Sequence, residues 1–450
     1  MSGSVCSYDR LSCVDGEIKP LEHQRLVTKF LLQKNTKGVL VFHSLGSGKT
    51  LTSLISIKAL LSKFPNKKVI VITPASLVSN YSQEMKKVKI DESESVKIQS
   101  YMTFINSFKP EFCKNTIFVV DEAHHFGRSG VTTNIIKRCA KNAFKVILLS
   151  ATPIQNSIEE IVPLLYMITP KEVTEKQIKS SVREAIISGR FDLVKELKCK
   201  VSFYNKQDFQ NFPTSSEHRV YLDMSSDYYS EYYKIQENYR DDLPEIFQNT
   251  KNLLVFFNGI RRSVNKLKVN SPKIEWVMKK ILEGKKTLVY TNWKSAGIDI
   301  LVEELKKNNI KHGVISGSIN RKTKDYYVES YNSGKINVIL ITASGAEGLN
   351  LKNTRNIIIL DSHWNKSRIN QVIGRGIRYK SHSELPKSER HVDVWYPILK
   401  KPKKLLPGDK MPLSADLILH QISEIKEKVI MDFYNKLSKM SIENDPSCIE

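Results

Sequence analysis

The chain has 450 residues, and its 70 Lys and Arg against 47 Asp and Glu give a formal net charge of +23 at pH 7. A hydrophobic fraction of 40% with only 19 Gly and 16 Pro excludes a collagen-like or mostly disordered protein. The length predicts two or three domains. The basic excess predicts a polyanionic partner, and composition alone leaves nucleic acid, a membrane surface and an acidic protein open.

The 6 cysteines are too sparse for a disulfide scaffold, and none forms a C-x-x-C pair. We therefore predict reduced thiols in a reducing compartment. The N-terminal residues show no cationic start followed by an apolar stretch, and no run approaches the ~18 apolar residues of a membrane helix. The expectation is a soluble, intracellular protein without a membrane-spanning segment.

Short β-branched apolar runs recur in the first third of the chain, at residues 38–42, 68–73, 116–121 and 145–150. Each run is typical of a buried parallel strand, and intervening segments such as 51–64 have an amphipathic helical pattern. The same alternation returns after Pro272, with runs at 286–291, 311–316, 337–342, 356–361 and 391–396. The sequence therefore predicts two α/β domains.

Residues 171–270 lack such runs, and we predict a mainly helical insertion there. Four tyrosines at helical spacing fit either a packing stripe or a base-stacking platform: Tyr228, Tyr229, Tyr232 and Tyr233. After a basic turn at 400–404, a helix capped by Ser414 is predicted to run to about Met440. The predicted organisation is lobe 1 at 1–170, the insertion at 171–270, lobe 2 at 271–398, and a C-terminal turn and short helix at 399–450.

The octapeptide HSLGSGKT at residues 43–50 stands between a predicted strand and a predicted helix, as a phosphate-binding loop requires. Its glycines let backbone N–H groups face phosphate oxygens, Lys49 can reach the β- and γ-phosphates, and the Thr50 hydroxyl can ligate Mg²⁺. His43 takes the place of the usual first glycine. The predicted nucleotide contacts in this loop are Gly46, Ser47, Gly48, Lys49 and Thr50.

The strand at 116–121 ends in the motif DEAHH. Asp121 at a strand end can hold Mg²⁺ through water, and Glu122 can orient and deprotonate the water that attacks the γ-phosphate. A solvated helix start is the alternative for this motif alone. The next predicted strand ends in SATPIQN, where Ser150 and Thr152 place small hydroxyls at the same cleft, with a simple turn as the alternative. Together with the phosphate loop, the order of motifs predicts an NTPase.

Two motifs mark the second predicted domain, TASGAEGLN at 342–350 and QVIGRGIR at 371–378. Arg375 and Arg378 are three residues apart, and we predict that they lie on one face of a helix. A planar guanidinium suits the γ-phosphate oxygens of a transition state, whereas an isolated pair would fit a surface salt bridge.

This ordered set of motifs, over about residues 20–398, resembles the superfamily-two helicases and translocases, which consist of two RecA-like lobes with ATP between them. LEHQ at 21–24, the stretch 152–170 and DSHWN at 361–365 resemble the Swi/Snf-type branch. The leading His43 and residues 378–394 are most similar to the poxvirus nucleoside triphosphatase I group and its relatives in other large DNA viruses.

The resemblance implies roles for individual residues. By this resemblance, Gln24 contacts adenine, Gly348 and Gln371 also contact the nucleotide, and Arg375 and Arg378 complete the site from the second lobe. His124, Ser150 and Thr152 couple hydrolysis to lobe movement. The nucleic acid backbone is contacted by Thr73, Pro74, Thr342 and the turn from Gly345 to Gly348.

The resemblance also implies an ATP- and Mg²⁺-dependent enzyme that moves on duplex DNA as a monomer without separating its strands. Its expected setting is viral transcription or genome handling in the virion and host cytoplasm, with RNA polymerase or other transcription machinery as a partner. One alternative is a strand-separating RNA or DNA helicase. An alternative of another class is a nucleic-acid-binding scaffold that holds ATP without turnover.

Overall fold

The structure is a computed structural model that describes residues 20–449 apart from 45, 94, 191–196, 206–211, 239–259, 318, 344, 346–348 and 364–365. The chain divides into two compact units, Met1–Gln207 together with Lys428–Glu450, and Asp208–Glu427. Among the described residues, each unit contains one six-stranded sheet in which all neighbouring strands are parallel. The predicted α/β fold of two RecA-like lobes is confirmed.

The sheet of the first unit has the strand order β3-β2-β4-β5-β1-β6. The strands are β1 (Gly38–His43), β2 (Lys68–Thr73), β3 (Val96–Ser100), β4 (Thr116–Val120), β5 (Lys145–Ser150) and β6 (Val201–Tyr204). The helices are α1 (Glu22–Leu32), α2 (Lys49–Lys63), α3 (Val78–Lys87), α4 (Tyr101–Asn106), α5 (Val131–Asn142), α6 (Ile161–Ile168) and α7 (Glu175–Ser188). Because the strands are parallel, the carboxyl ends of β1, β4 and β5 meet at one edge, which brings three of the motifs together.

The sheet of the second unit has the strand order β7-β12-β11-β8-β10-β9. The strands are β7 (Thr214–Asp223), β8 (Thr287–Tyr290), β9 (His312–Ile315), β10 (Val338–Ile341), β11 (Asn356–Ile359) and β12 (His391–Lys400). The helices are α8 (Ser226–Glu237), α9 (Pro272–Leu282), α10 (Asp299–Lys307), α11 (Arg321–Asn332) and α12 (Lys366–Gly376).

Both sheets have a hydrophobic core on each face, because the inner positions of their central strands are apolar. In β1, Leu40 packs into one cluster and Val41 into the other. In β11, Ile357 and Ile358 divide in the same way. This burial explains why continuous apolar runs, rather than alternating ones, marked the strands in the sequence.

The insertion differs from the mainly helical segment that we predicted, because it also contains the edge strands β6 and β7. An edge strand has one neighbour and needs less apolar surface, so it carries no long apolar run. The sequence of β7, TSSEHRVYLD, accordingly alternates between exposed and half-buried positions. The described part of the insertion therefore contains helices and also contributes one edge strand to the sheet of each unit.

The tyrosines of α8 form a packing stripe, which confirms the first of the two interpretations. Tyr228, Tyr229 and Tyr232 are buried in the core of the second unit. The Tyr229 hydroxyl donates to Asp409 Oδ2 over 2.6 Å, and the same carboxylate pairs with Lys401 Nζ at 2.6 Å. Lys401, part of the predicted basic turn, is thus buried in an ion pair rather than solvated.

The C-terminal helix α13 (Ala415–Lys439) begins where we predicted, and the Ser414 side chain accepts from Leu417 N over 3.2 Å. The division between the units falls inside this helix. The predicted single region 399–450 is therefore shared, because Phe433 and Leu437 of its second half pack into the core of the first unit. No helix in the described part of the chain combines the length and apolar character that crossing a bilayer requires.

The four cysteines that the structure describes form disulfides, contrary to the reduced state that we expected, and Cys6 and Cys13 lie outside the described residues. Cys113 pairs with Cys139, and Cys199 pairs with Cys448, with Cα–Cα distances of 5.2 and 5.3 Å. The second pair joins residues separated by 249 positions, and such pairing depends on the tertiary fold rather than on local spacing.

Candidate nucleotide site

The loop at residues 43–50 connects β1 to α2, and its backbone requires glycine. Gly48 has a φ of 80°, in the left-handed region, and a Cβ added there would lie 2.7 Å from the Gln24 amide nitrogen. Gly46 also has a positive φ, of 78°. Curled backbone of this kind, followed by the N-terminus of a helix, presents N–H groups to an anion.

The polar side chains of the loop turn back onto it. Lys49 Nζ donates to the carbonyl oxygens of His43 and Ser44 over 3.1 and 3.2 Å, and the Ser47 hydroxyl donates to Ser44 O over 2.6 Å. Thr50 lies half-buried in the first turn of α2. The loop therefore brings an ammonium group and a hydroxyl to a glycine-rich anion cradle.

Helix α1 covers this loop. Gln24 is buried, and its amide oxygen accepts from Leu21 N over 2.9 Å, which leaves its amide nitrogen beside Gly48. The adjacent His23 ring stacks on Tyr204 at a centroid distance of 3.6 Å, with its Nε2 3.3 Å from Ser47 O. We did not identify His23 or Tyr204 from the sequence, because a contact between distant positions leaves no local pattern.

Asp121 and Glu122 follow β4 at the same edge of the sheet. Asp121 Oδ2 accepts from the Thr73 hydroxyl and Oδ1 from Glu122 N, each over 3.0 Å. Burial and the neighbouring Glu122 charge raise the pKa of Asp121 to about 6, while Lys49 acts in the opposite direction. The loop lysine and the acid pair therefore interact electrostatically.

The predicted contact of Thr73 with the nucleic acid backbone stays a prediction. Thr73 is fully buried, and its hydroxyl donates to Asp121. The Thr73 side chain therefore orients the Asp121 carboxylate. Pro74 follows, half-buried, before the short turn Ala75–Leu77, and its predicted backbone contact stays a prediction.

A series of polar contacts runs from the acid pair to the next strand end. Glu122 has a φ of 48°, unusual for a residue other than glycine, and its Oε2 lies 3.3 Å from His124 Nδ1. His124 Nδ1 lies 3.2 Å from Ser150 Oγ, which accepts from Thr152 N over 3.1 Å. The three residues predicted to couple hydrolysis to movement thus form one series with Glu122.

The SATPIQN loop has two further supports that we did not identify from the sequence. Glu160 accepts from Gln155 N and Asn156 N over 2.7 and 3.0 Å, and it also pairs with Arg128. Burial disfavours the Glu160 carboxylate, but these donors outweigh burial and lower its pKa. Tyr434 of α13 binds both the N–H and the carbonyl of Ile154, over 3.0 and 3.1 Å.

Two of the predicted site residues of the second unit, Thr342 and Gly345, follow the carboxyl end of β10. Thr342 N donates to Ile315 O over 3.1 Å, and a Cβ added at Gly345 would lie only 2.1 Å from that same oxygen. Gln371 lies in α12, half-buried. Gly348 lies outside the described residues.

Arg375 and Arg378 do not share a helix face, contrary to our prediction. Helix α12 ends at Gly376, so Arg375 lies in its last turn and Arg378 in the following segment. There Ser381 Oγ accepts from Arg378 N and donates to Arg378 O, over 3.1 and 2.7 Å. These two bonds give the Arg378 backbone partners outside the helix.

The raised pKa of Asp121 predicts that the protein without nucleotide becomes less stable as Asp121 loses its proton. Its pKa is about 6 in the fold against 3.8 ordinarily, so its contribution to stability is lost as pH rises from about 4 through 6. Asparagine does not titrate, so Asp121→Asn removes this loss. In urea unfolding, the free energy of unfolding of the variant should rise by about 2–3 kcal/mol relative to that of the parent between pH 4 and pH 8. The exposed control Asp325→Asn should show no such trend, and a pH-independent difference for Asp121→Asn would contradict the assignment.

Two family descriptions match the chain. Residues 17–155 match the family described as type III restriction enzyme, res subunit, and residues 272–380 match the helicase conserved C-terminal domain. The matched ranges contain the loop, the acid pair and the two arginines. One match therefore falls in each unit of the structure.

Relatives with similarity over most of the chain support the same assignment. A protein of Acanthamoeba polyphaga mimivirus, provisionally named an ATP-dependent RNA helicase, is 32% identical over 94% of this chain and 97% of its own length. Nucleoside triphosphatase I of Heliothis armigera entomopoxvirus is 26% identical over 96% of this chain and 81% of its own. A protein of Bacillus subtilis (strain 168) named an uncharacterized ATP-dependent helicase is 25% identical over 79% and 72%, respectively. The chain therefore belongs to the superfamily-two helicases and translocases, as a nucleic-acid-dependent ATPase related to proteins of large DNA viruses.

Proposed function

We propose that this protein is a translocase that uses ATP hydrolysis to move along duplex DNA. The observation that supports the proposal best is the series from Glu122 through His124 to Ser150 and Thr152. A change in charge at Glu122 during hydrolysis would be transmitted by these contacts to the SATPIQN loop. A site of this construction suits an enzyme in which hydrolysis drives a conformational change.

The proposed roles in hydrolysis follow from the chemistry of each group. Lys49 and the loop N–H groups bind the phosphates, and Glu122 orients and deprotonates the attacking water. Thr50 and Asp121 would supply hard oxygen donors of the kind that Mg²⁺ prefers. Burial and the neighbouring Glu122 charge raise the pKa of Asp121, and a cation would stabilise its carboxylate. We propose that Asp121, whose oxygens accept from the Thr73 hydroxyl and from Glu122 N, would hold the cation through water. Bound Mg²⁺ would neutralise charge on the phosphates.

We propose further that Arg375, Arg378, Gln371 and Gly348 complete the nucleotide site, as in the family. Gln24 is proposed to contact adenine through its amide nitrogen, since its amide oxygen is already bound. Thr342 and Gly345 are proposed to contact the nucleic acid backbone. Contacts of that kind position the nucleic acid without selecting its sequence.

The kind of nucleic acid on which the protein moves is tested by ATPase rates. These are measured side by side without nucleic acid and with single-stranded DNA, duplex DNA and RNA. We expect the largest stimulation with duplex DNA. With a net charge of +23, binding should also weaken steeply with salt, because each neutralised phosphate releases a counterion. An affinity that stays constant between 50 and 200 mM salt would contradict backbone recognition.

A strand-separating helicase is the second candidate, and the name of the mimivirus relative favours it. The two activities are separated by comparing displacement of a third strand from a triplex with unwinding of a tailed duplex. A translocase on duplex DNA displaces the third strand without unwinding the duplex. Unwinding without triplex displacement would favour the helicase instead.

The setting is proposed from the viral relatives alone. We propose that the protein acts as a monomer in viral transcription or genome handling, in the virion and host cytoplasm, with RNA polymerase or other transcription machinery as a partner. Light scattering of the purified protein tests the monomer, and co-purification from infected cells tests the partner and location.

A further inference from the structure

The last residues of the described chain lie along β6 in the first unit. Ile442 N donates to Val201 O over 3.0 Å, Cys199 N donates to Met440 O over 3.1 Å, and Cys448 is bonded to Cys199. Strand β6 in turn pairs with β1, at whose end the phosphate loop begins. The C-terminal segment is therefore held one strand away from the loop.

Glu443 of this segment reaches the loop through hydrogen bonds. Its Oε2 accepts from Phe203 N over 2.8 Å, and its Oε1 accepts from the Ser202 hydroxyl. Ser202 Oγ lies 2.7 Å from Nε2 of His43, the first residue of the loop motif. Ser202 and His43 are both fully buried, so water does not compete for these bonds.

The proton count along this series determines the tautomer of His43. A hydroxyl has one proton, and Ser202 donates it to Glu443, so Ser202 can only accept from His43. His43 Nε2 therefore carries the ring proton and Nδ1 does not. Burial, together with His23 and Lys49, lowers the pKa of His43 well below its usual range, so the ring is neutral.

The same residue contributes to the position of the catalytic lysine. The carbonyl oxygens of His43 and Ser44 accept from Lys49 Nζ, so the orientation of His43 affects where the ammonium lies. We propose that Glu443, acting through Ser202, is a positioning residue that holds His43 as its Nε2–H tautomer and so keeps the phosphate loop in its ATP-binding form. This inference rests on the proposed phosphate-binding role of the loop.

The variant Glu443→Gln tests the proposal through the tautomer. The glutamine oxygen must face Phe203 N–H, so its NH₂ group must face Ser202. Ser202 then accepts from glutamine and can donate to His43 Nε2, which favours the Nδ1–H form. Nitrogen NMR of ¹⁵N-histidine-labelled protein should show that the protonated nitrogen of His43 is Nε2 in the parent and Nδ1 in the variant. A loss of packing alone would not cause this change.

The second measurement on Glu443→Gln is the kinetics of ATP hydrolysis. One lost hydrogen bond to a charged group predicts a KM for ATP raised by about tenfold, with kcat changed by less than about twofold. The control Asp445→Asn alters a carboxylate of the same segment that bonds Ser447 and pairs with Lys198, and both constants should stay at parental values. Ser202→Ala should have the same effect as Glu443→Gln, and the double variant should be no worse than either, because all three break one series.

Two results would overturn the inference: an unchanged His43 tautomer in Glu443→Gln, or additive effects of the Ser202 and Glu443 variants. The loop role itself is tested separately by Lys49→Ala, which should abolish tight ATP binding. Retained tight binding in Lys49→Ala would refute the loop assignment, whereas loss there with unchanged KM in Glu443→Gln would refute only the role of Glu443.

Discussion

Glu122→Gln should lower the ATPase rate by about 10²–10⁴-fold while ATP still binds. Glutamine keeps the size of the side chain but cannot accept the proton of the attacking water. The position of the group is well defined, because the Glu122 backbone is in the left-handed region and the Tyr101 hydroxyl donates to the carbonyl oxygen of the preceding Asp121. Single-turnover hydrolysis and nucleotide binding, measured on the same preparation, separate the two effects.

The matched control is Glu84→Gln, which removes a carboxylate of the first unit that pairs with Lys87 on the surface of α3. Its rate should equal that of the parent. Hydrolysis by Glu122→Gln at the parental rate would exclude Glu122 as the general base. The scaffold alternative would be supported if the parent protein bound nucleic acid in an ATP-dependent way but did not hydrolyse ATP.

Arg375→Ala should lower kcat by about 10³–10⁵-fold, the range found for arginines that stabilise the transition state of phosphoryl transfer. Binding of ATP in the ground state should change much less, because the charge that the guanidinium stabilises develops only during the reaction. The residue is in the last turn of α12, where its carbonyl accepts from Leu351 N over 3.2 Å. The backbone position of the arginine is thus held by its own unit.

The control for this variant is Arg321→Ala, which removes an exposed arginine of the same unit that pairs with Asp325. Its kcat should be parental. Arg378→Ala should be measured in parallel, since the two arginines are in different local environments. A parental kcat for Arg375→Ala, with Arg378→Ala strongly impaired, would transfer the proposed role to Arg378.

The sequence contained enough information for the central strands and for the motifs that follow them. The run at 116–121 predicted β4, observed at Thr116–Val120, because a strand buried on both faces must be apolar at nearly every position. Parallel strands then place their carboxyl ends together, so the order of strands and motifs was sufficient to associate the phosphate loop with Asp121 and Glu122.

Other features depended on contacts and element boundaries that the sequence pattern does not reveal. Thr73 is the last residue of β2, and the hydrogen bond from its hydroxyl to Asp121 left no pattern in the sequence. Arg378 has helical spacing from Arg375, yet α12 ends between them. The edge strands β6 and β7 have no apolar run, since a strand with one neighbour buries less surface.

What the sequence by itself determined is the pair of α/β lobes, the phosphate loop and the acid pair, because these depend on local patterns of apolar, glycine and charged residues. Only the tertiary structure decided what supports that site: Tyr434 on Ile154, Glu160 on the SATPIQN loop, and Glu443 through Ser202 on His43. The physical reason is that a hydrogen bond requires atoms within about 3 Å, and such proximity between residues far apart in the chain arises only when the sheet and the C-terminal helix have packed together.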